Sequence, residues 1–96
     1  MYLIRDTFQC KPGMAKELVN KFKQTIPFMI EQNFRNAKIM TDVVSNYWTV
    51  VLELEVETLA DFQNHKSFTS QPKVKEIMKD YMTLVEGGKR EIFNIE

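Results

Sequence analysis

Two side chains in this sequence are placed where their chemistry needs explaining. Asp6 lies in the strand-like run from Tyr2 to Cys10 and shares strand parity with Ile4 and Phe8, so alternation turns it towards the apolar side. An unpaired carboxylate there is costly. It is either matched by a cation such as a helix lysine, open to water at an edge, or raised in pKa and able to act as a general base. His65 is the only histidine. In a short helical stretch it can shuttle protons near neutral pH, or simply cap a helix and face solvent. Asp6 and His65 are therefore the candidate catalytic pair. Phe8, Trp48, Phe62 and Tyr81 are candidates to line an aromatic pocket beside them, although aromatic residues at this periodicity also build ordinary cores.

Other chemistries find no support. Cys10 is the sole cysteine, which rules out an internal disulfide, and no neighbour in sequence would activate its thiol. It reads as a small buried hydrophobe. A metal site would have to gather Cys10, His65 and carboxylates from distant segments, without a CxxC or HxxxH spacing. Three glycines, two of them adjacent, cannot supply a phosphate-cradling or nucleophile-elbow pattern. Neither a metal nor a cofactor is expected. The 13 basic residues are balanced by 13 acidic ones, so counterion release has little to drive, and no nucleic-acid partner is expected. With no apolar run near the ~20 residues of a membrane span and no signal-like start, no membrane partner is expected and the expected location is the cytoplasm.

The elements that would position these residues follow from hydrophobic period. Tyr2 to Cys10 reads as a strand closed by Lys11–Gly13. From Met14 the residues Ala15, Leu18, Val19, Phe22, Ile26, Met29 and Ile30 keep a helical spacing. Pro27 should kink that helix or end it near Ile26, because proline removes a backbone donor and crowds the preceding turn. Ala37 to Val44 reads as a second strand, joined through a tight turn at Ser45–Asn46 to the alternating run "NYWTVVLELEVET". Thr58, with Asp61 three residues on, predicts a capped short helix over Leu59 to Lys66. A further helix should carry Val74, Ile77, Met78, Tyr81, Met82 and Val85 and stop at Gly87–Gly88, before a last strand from Lys89 to Ile95.

The order β-α-β-β-α-β predicts a single α+β domain over 1–96. Its ferredoxin-like, four-stranded antiparallel sheet has helices on one face. Trp48, Val50, Leu52, Leu54 and Val56, with Tyr2, Ile4 and Phe8, should lie beneath the helices. The opposite face should carry Leu3, Arg5, Thr7 and Gln9; Tyr47, Thr49, Val51, Glu53 and Glu55; and Arg90, Ile92 and Asn94. Arg5 should meet Glu53 and Glu55 across strands. A face that mixes Leu3, Tyr47, Val51 and Ile92 with matched charges suggests a partner, and face-to-face packing of two sheets makes a homodimer the expectation.

The stretches "FQCKPGMAKEL", "VVLELEVETLADFQNHKSF" and "GGKREIFNIE" together resemble the dimeric α/β-barrel superfamily, which includes antibiotic-biosynthesis-monooxygenase-like and NIPSNAP-like domains. The resemblance runs over essentially the whole chain and implies the fold, dimerisation into an α/β barrel, and a pocket between sheet and helices in each monomer. Superfamily members include cofactor-free oxygenases, haem-degrading enzymes and isomerases. Of the haem-degrading set, the first-strand Asn is replaced here by Asp6 and the third-strand Trp by Glu55 or Val56, while His65 better matches a histidine of monooxygenase-like members. The resemblance thus implies a small protein that binds an apolar or aromatic metabolite between sheet and helices. The alternative is a cofactor-independent monooxygenase with Asp6 as base and His65 assisting.

Overall fold

The computed structural model describes residues 1–96. Strand β1 (Tyr2–Cys10) leads through Gly13, whose φ of +80° suits a residue without a Cβ, into helix α1 (Ala15–Glu31). Strands β2 (Arg35–Thr41) and β3 (Thr49–Val56) follow. Three short helices come next: α2 (Leu59–Gln63), α3 (His65–Thr69) and α4 (Pro72–Ile77). A 3-10 turn (Tyr81–Leu84) then feeds β4 (Val85–Asn94). The strands pair antiparallel in the order β2-β3-β1-β4, so the fold is the ferredoxin-like α+β arrangement the sequence predicts. No helix is long and apolar enough to cross a membrane.

The core forms where the apolar rows meet. Along β3, Val50, Leu52, Leu54 and Val56 are buried, and register sets them opposite Phe8, Asp6, Ile4 and Tyr2 of β1. Ala15, Leu18, Phe22, Thr25 and Met29 of α1 repeat at alternating steps of three and four, which puts them on one stripe against that sheet. Lys21 ties the second helical layer to the first: its Nζ donates to the carbonyls of Ile77 (3.0 Å) and Lys79 (2.8 Å), at the electronegative end of α4. The cap on α2 is as read from sequence. Thr58 Oγ1 accepts from the Asp61 N–H (3.2 Å), and Asp61 accepts from the Thr58 N–H (3.3 Å).

Several expectations fail, each for a local reason. Helix α1 does not end near Ile26 but runs through Pro27 to Glu31. Pro27 and Lys23, whose carbonyl loses its partner, are both on the exposed side, where water can replace the missing donor. The β2–β3 connection is no tight turn at Ser45–Asn46. It spans Asp42 to Trp48, and Asp42 closes it by donating its N–H to the Thr49 carbonyl while its Oδ1 accepts from the Thr49 N–H. Trp48, at φ +64°, thereby leaves the row of Val50 and Leu52.

The helix expected to reach Val85 stops after Ile77, and Asp80 turns the chain at φ +62°. Gly87 and Gly88 are consequently inside β4, not at a helix end. Gly88 is required there by close approach: a Cβ on it would fall 2.5 Å from the Thr7 carbonyl oxygen. The resulting register pairs Asp6 with Arg90, Ile4 with Ile92 and Tyr2 with Asn94. Residues directly opposite across a pair share a face, so Arg90, Ile92 and Asn94 belong to the helix side rather than the open side. Glu91 and Phe93 take their place on the open side.

Candidate functional site

Between the sheet and the helical layer lies a cavity of about 480 Å³. Its floor is Phe8, Leu52 and Leu54, and its walls are Phe22, Met29 and Phe34 from one side and Phe68, Val74 and Met78 from the other. Residues of two pieces of the broken second helix, α3 and α4, line this space. Phe8 packs on Phe22 with ring centroids 5.2 Å apart, and Phe34 meets Phe68 edge-on at 6.0 Å.

Four polar groups of the lining lie near one another, Asp6, Arg90, His65 and Tyr81, and Thr25, Thr69 and Lys75 also line this apolar space. Asp6 is buried, and its cation comes from the neighbouring strand rather than from a helix lysine. Arg90 Nε donates to Oδ1 at 2.6 Å and Nη2 to Oδ2 at 3.0 Å, a two-pronged pairing that holds the guanidinium plane fixed. The Asp6 carboxylate raises the pKa of Arg90, chiefly through this hydrogen bond. Phe62 packs across the guanidinium, its ring centroid 5.2 Å from Cζ, and His65 stacks on Phe62 at 6.0 Å. Arg90, Phe62, His65 and Phe68 thus form a short column, all of it but Phe62 lining the cavity.

Burial, and then the nearby Arg90 charge, push the His65 imidazole below its ordinary range, with Asp6 partly opposing them. The ring is therefore neutral at pH 7, with one nitrogen free to accept a proton. Asp6 and His65, far apart in sequence, line one cavity and lie close enough for their charges to interact.

The four aromatic candidates divide. Phe8 and Tyr81 line the cavity, whereas Phe62 stands behind Arg90 and His65 and does not reach it. Trp48 lies elsewhere, beside Gln9, Cys10, Pro12 and Tyr47 at the end of the sheet. Cys10 is buried, and burial pushes its thiol pKa up. Arg90 is the principal residue that sequence reasoning misplaced. Its signal was present in the need of a buried Asp6 for a cation, but hidden by the reading of Gly87–Gly88 as a helix stop.

The open face of the sheet carries a row of alternating charge. Register aligns Lys38, Glu53, Arg5 and Glu91 across all four strands. Arg5 Nε donates to Glu53 Oε2 at 2.7 Å and its guanidinium also packs on Phe93, while Glu55 accepts from Asn36 instead. Leu3, Thr7, Val51 and Met40 flank this row, with Phe93 beside Leu3. Ile92 is absent from this face, and Tyr47 sits in the loop, 83% exposed, ahead of β3.

No family model and no curated protein matches this sequence. Among solved structures, a NIPSNAP-like domain protein from Burkholderia xenovorans superposes with a TM-score of 0.84 at 16% identity, covering 99% of this chain and 84% of its own. An uncharacterised NIPSNAP domain protein from the same organism gives 0.82 at 12% identity, with 100% and 95% covered. A candidate antibiotic biosynthesis monooxygenase from Deinococcus radiodurans gives 0.76 at 13% identity, with 100% and 93% covered. At these identities the likeness is one of fold: the chain has the architecture of NIPSNAP and antibiotic-biosynthesis-monooxygenase-like proteins.

Proposed function

We propose that this protein is a homodimer that binds a small apolar or aromatic metabolite in the cavity between sheet and helices. The observation that carries the reading is the cavity itself: ten of its 16 lining residues are hydrophobic, and Asp6, Arg90 and His65 stand close together among the few polar ones. A space of this size falls in the range of roughly 300–1,000 Å³ typical of small-molecule sites, whose design is the same mix of apolar wall and few polar groups. Neutral phenylnaphthylamine, fluorescent only in apolar surroundings, tests it. Saturable enhancement at one probe per protomer is expected, with loss in Met78→Trp, which fills the space. Enhancement that persists in that variant would place the probe elsewhere and count against the reading.

Dimerisation is part of the proposal and is supported by the open sheet face. Leu3, Val51, Met40 and Phe93 form an apolar surface around a charge row that a second copy, turned by a two-fold axis, can match.

A second reading is favoured by the meeting of Asp6 and His65 in one cavity: a cofactor-independent monooxygenase or related enzyme of the antibiotic-biosynthesis-monooxygenase type. Here neutral His65 is the group able to take a proton from a bound substrate, and Asp6, through Arg90, sets the charge around it. Under this reading His65→Gln abolishes turnover of a phenolic substrate in air. Under the binding reading the same variant leaves the affinity for a neutral probe largely intact.

A further inference from the structure

The lining of the cavity is not electrically balanced, and the imbalance has chemical content. Asp6 is the only acidic residue in the lining, against two cations, Arg90 and Lys75. The whole chain, by contrast, is neutral. His65, held below its ordinary range, adds no charge at pH 7.

Arg90 also has donors to spare. A guanidinium carries five N–H groups, and Asp6 takes those of Nε and one of Nη2. The rest meet no protein acceptor, and the Lys75 ammonium is in no ion pair. Asp6 holds the guanidinium plane on one edge and Phe62 covers a face, so the opposite edge is presented in a fixed orientation. The Arg90 side chain is 41% exposed, so an anion on its free donors would keep part of its hydration, while most of the cavity lining is apolar.

Resting on the ligand-binding reading, we propose that the ligand is an anion-headed apolar molecule, a small carboxylic acid with an aromatic or aliphatic body. Its carboxylate takes the free edge of Arg90, with Lys75 assisting, and its body lies among Phe22, Met29, Leu54 and Phe68. Asp6 is a positioning residue here. It aims the guanidinium but also repels the headgroup, so the two members of the ion pair have opposite effects on affinity.

A matched pair of probes tests this. Phenylnaphthylamine is neutral, and anilinonaphthalene sulfonate is the same skeleton with an anionic group. The native protein should bind the sulfonate about tenfold tighter, the worth of one charge-assisted hydrogen bond in a partly wet site. Arg90→Gln should remove that preference, and Asp6→Asn should increase it, with the neutral probe unchanged in both. Because Arg90→Gln leaves a buried carboxylate unpaired, Lys75→Gln, which keeps the pair, is the second variant and should weaken only the sulfonate. Naphthoate should displace the sulfonate, and naphthalene methanol should do so less well. Equal affinity for both probes in the native protein, or parallel changes in both among the variants, overturns the inference and leaves the binding reading standing. Binding of neither probe removes both.

Discussion

Asp6 and Arg90 stand directly opposite each other on β1 and β4, and their side chains meet in a two-pronged ion pair on the helix side of the sheet. The pair is asymmetric: the carboxylate side chain is 11% exposed and the guanidinium 41%. Removing the exposed partner strands the buried one. Arg90→Gln should therefore destabilise the fold by about 2 kcal/mol, below the 3–5 kcal/mol of a fully buried pair because water reaches this one. Adding Asp6→Asn should restore most of the loss. Urea unfolding of both single variants and the double variant measures the coupling; purely additive effects would show that the pair contributes nothing as a pair.

His65 makes stability depend on pH. Its folded-state pKa is lowered, first by burial and then by Arg90, from an ordinary value of 6.5. The unfolded chain thus takes up the proton at a higher pH than the folded one. Stability is undiminished above about 6.5 and falls as pH drops through that value, levelling once the folded pKa is passed. Denaturation midpoints between pH 5 and pH 7.5 should fall on acidification in the native protein and fall less in His65→Gln. Identical slopes in the two proteins would reject the assignment.

The two adjacent glycines of β4 should respond differently to the same substitution. A Cβ on Gly88 meets the backbone oxygen of Thr7 at 2.5 Å, whereas one on Gly87 meets nothing within 4 Å. Gly88→Ala must push β4 from β1 and should cost about 1–3 kcal/mol, in the range of overpacking. Gly87→Ala should be neutral or slightly stabilising. Thermal melts of the two variants give the answer, and equal melting temperatures would contradict the register.

Those glycines also show where the sequence stops being readable. The buried row of β3 and the buried stripe of α1 are strongly periodic, so sheet order, helix placement and the Arg5–Glu53 pair all follow from pattern. Both rows of β4 mix charge with apolar groups, Arg90 and Ile92 on one side, Glu91 and Phe93 on the other. Period alone cannot assign such an edge strand to a face, and a one-residue error moves every side chain across the sheet. The deciding contact, Gly88 against Thr7, is between residues some 80 positions apart and is invisible locally. Trp48 is a similar case, since nothing in its neighbours announces a left-handed residue where the strand should begin. The cavity's polar cluster was legible only in part, through Asp6 and His65, because its third member depended on that misread strand.

Pro27 offers a stabilising substitution. It sits within α1 on the exposed side, so the Lys23 carbonyl lacks its helical donor. Pro27→Ala restores that bond and relieves crowding in the preceding turn, at the cost of a more flexible unfolded chain. A gain of about 1–2 kcal/mol in chemical denaturation is expected, with the cavity unaltered because Pro27 does not line it. A loss of stability would mean that the proline sets a bend on which the packing of Met29 and Phe34 depends.

The open sheet face yields the test of assembly. Val51 lies on the third strand between Met40 and Thr7, flanked by the row of Lys38, Glu53, Arg5 and Glu91. Glu53, at 14% side-chain exposure, is already largely covered within one protomer. In a two-fold packing of these faces Val51 is near the centre, where a new charge cannot keep its water and unbalances a row whose charges already alternate. Val51→Glu should convert a dimer at micromolar concentration into a monomer by analytical centrifugation, while Lys23→Glu, on the exposed side of α1, should leave the mass unchanged. The cavity is on the other side of the sheet, so the Val51→Glu monomer should still take up phenylnaphthylamine. A native protein that sediments as a monomer would remove the dimer without touching the ligand site, since none of the cavity lining lies on the open face.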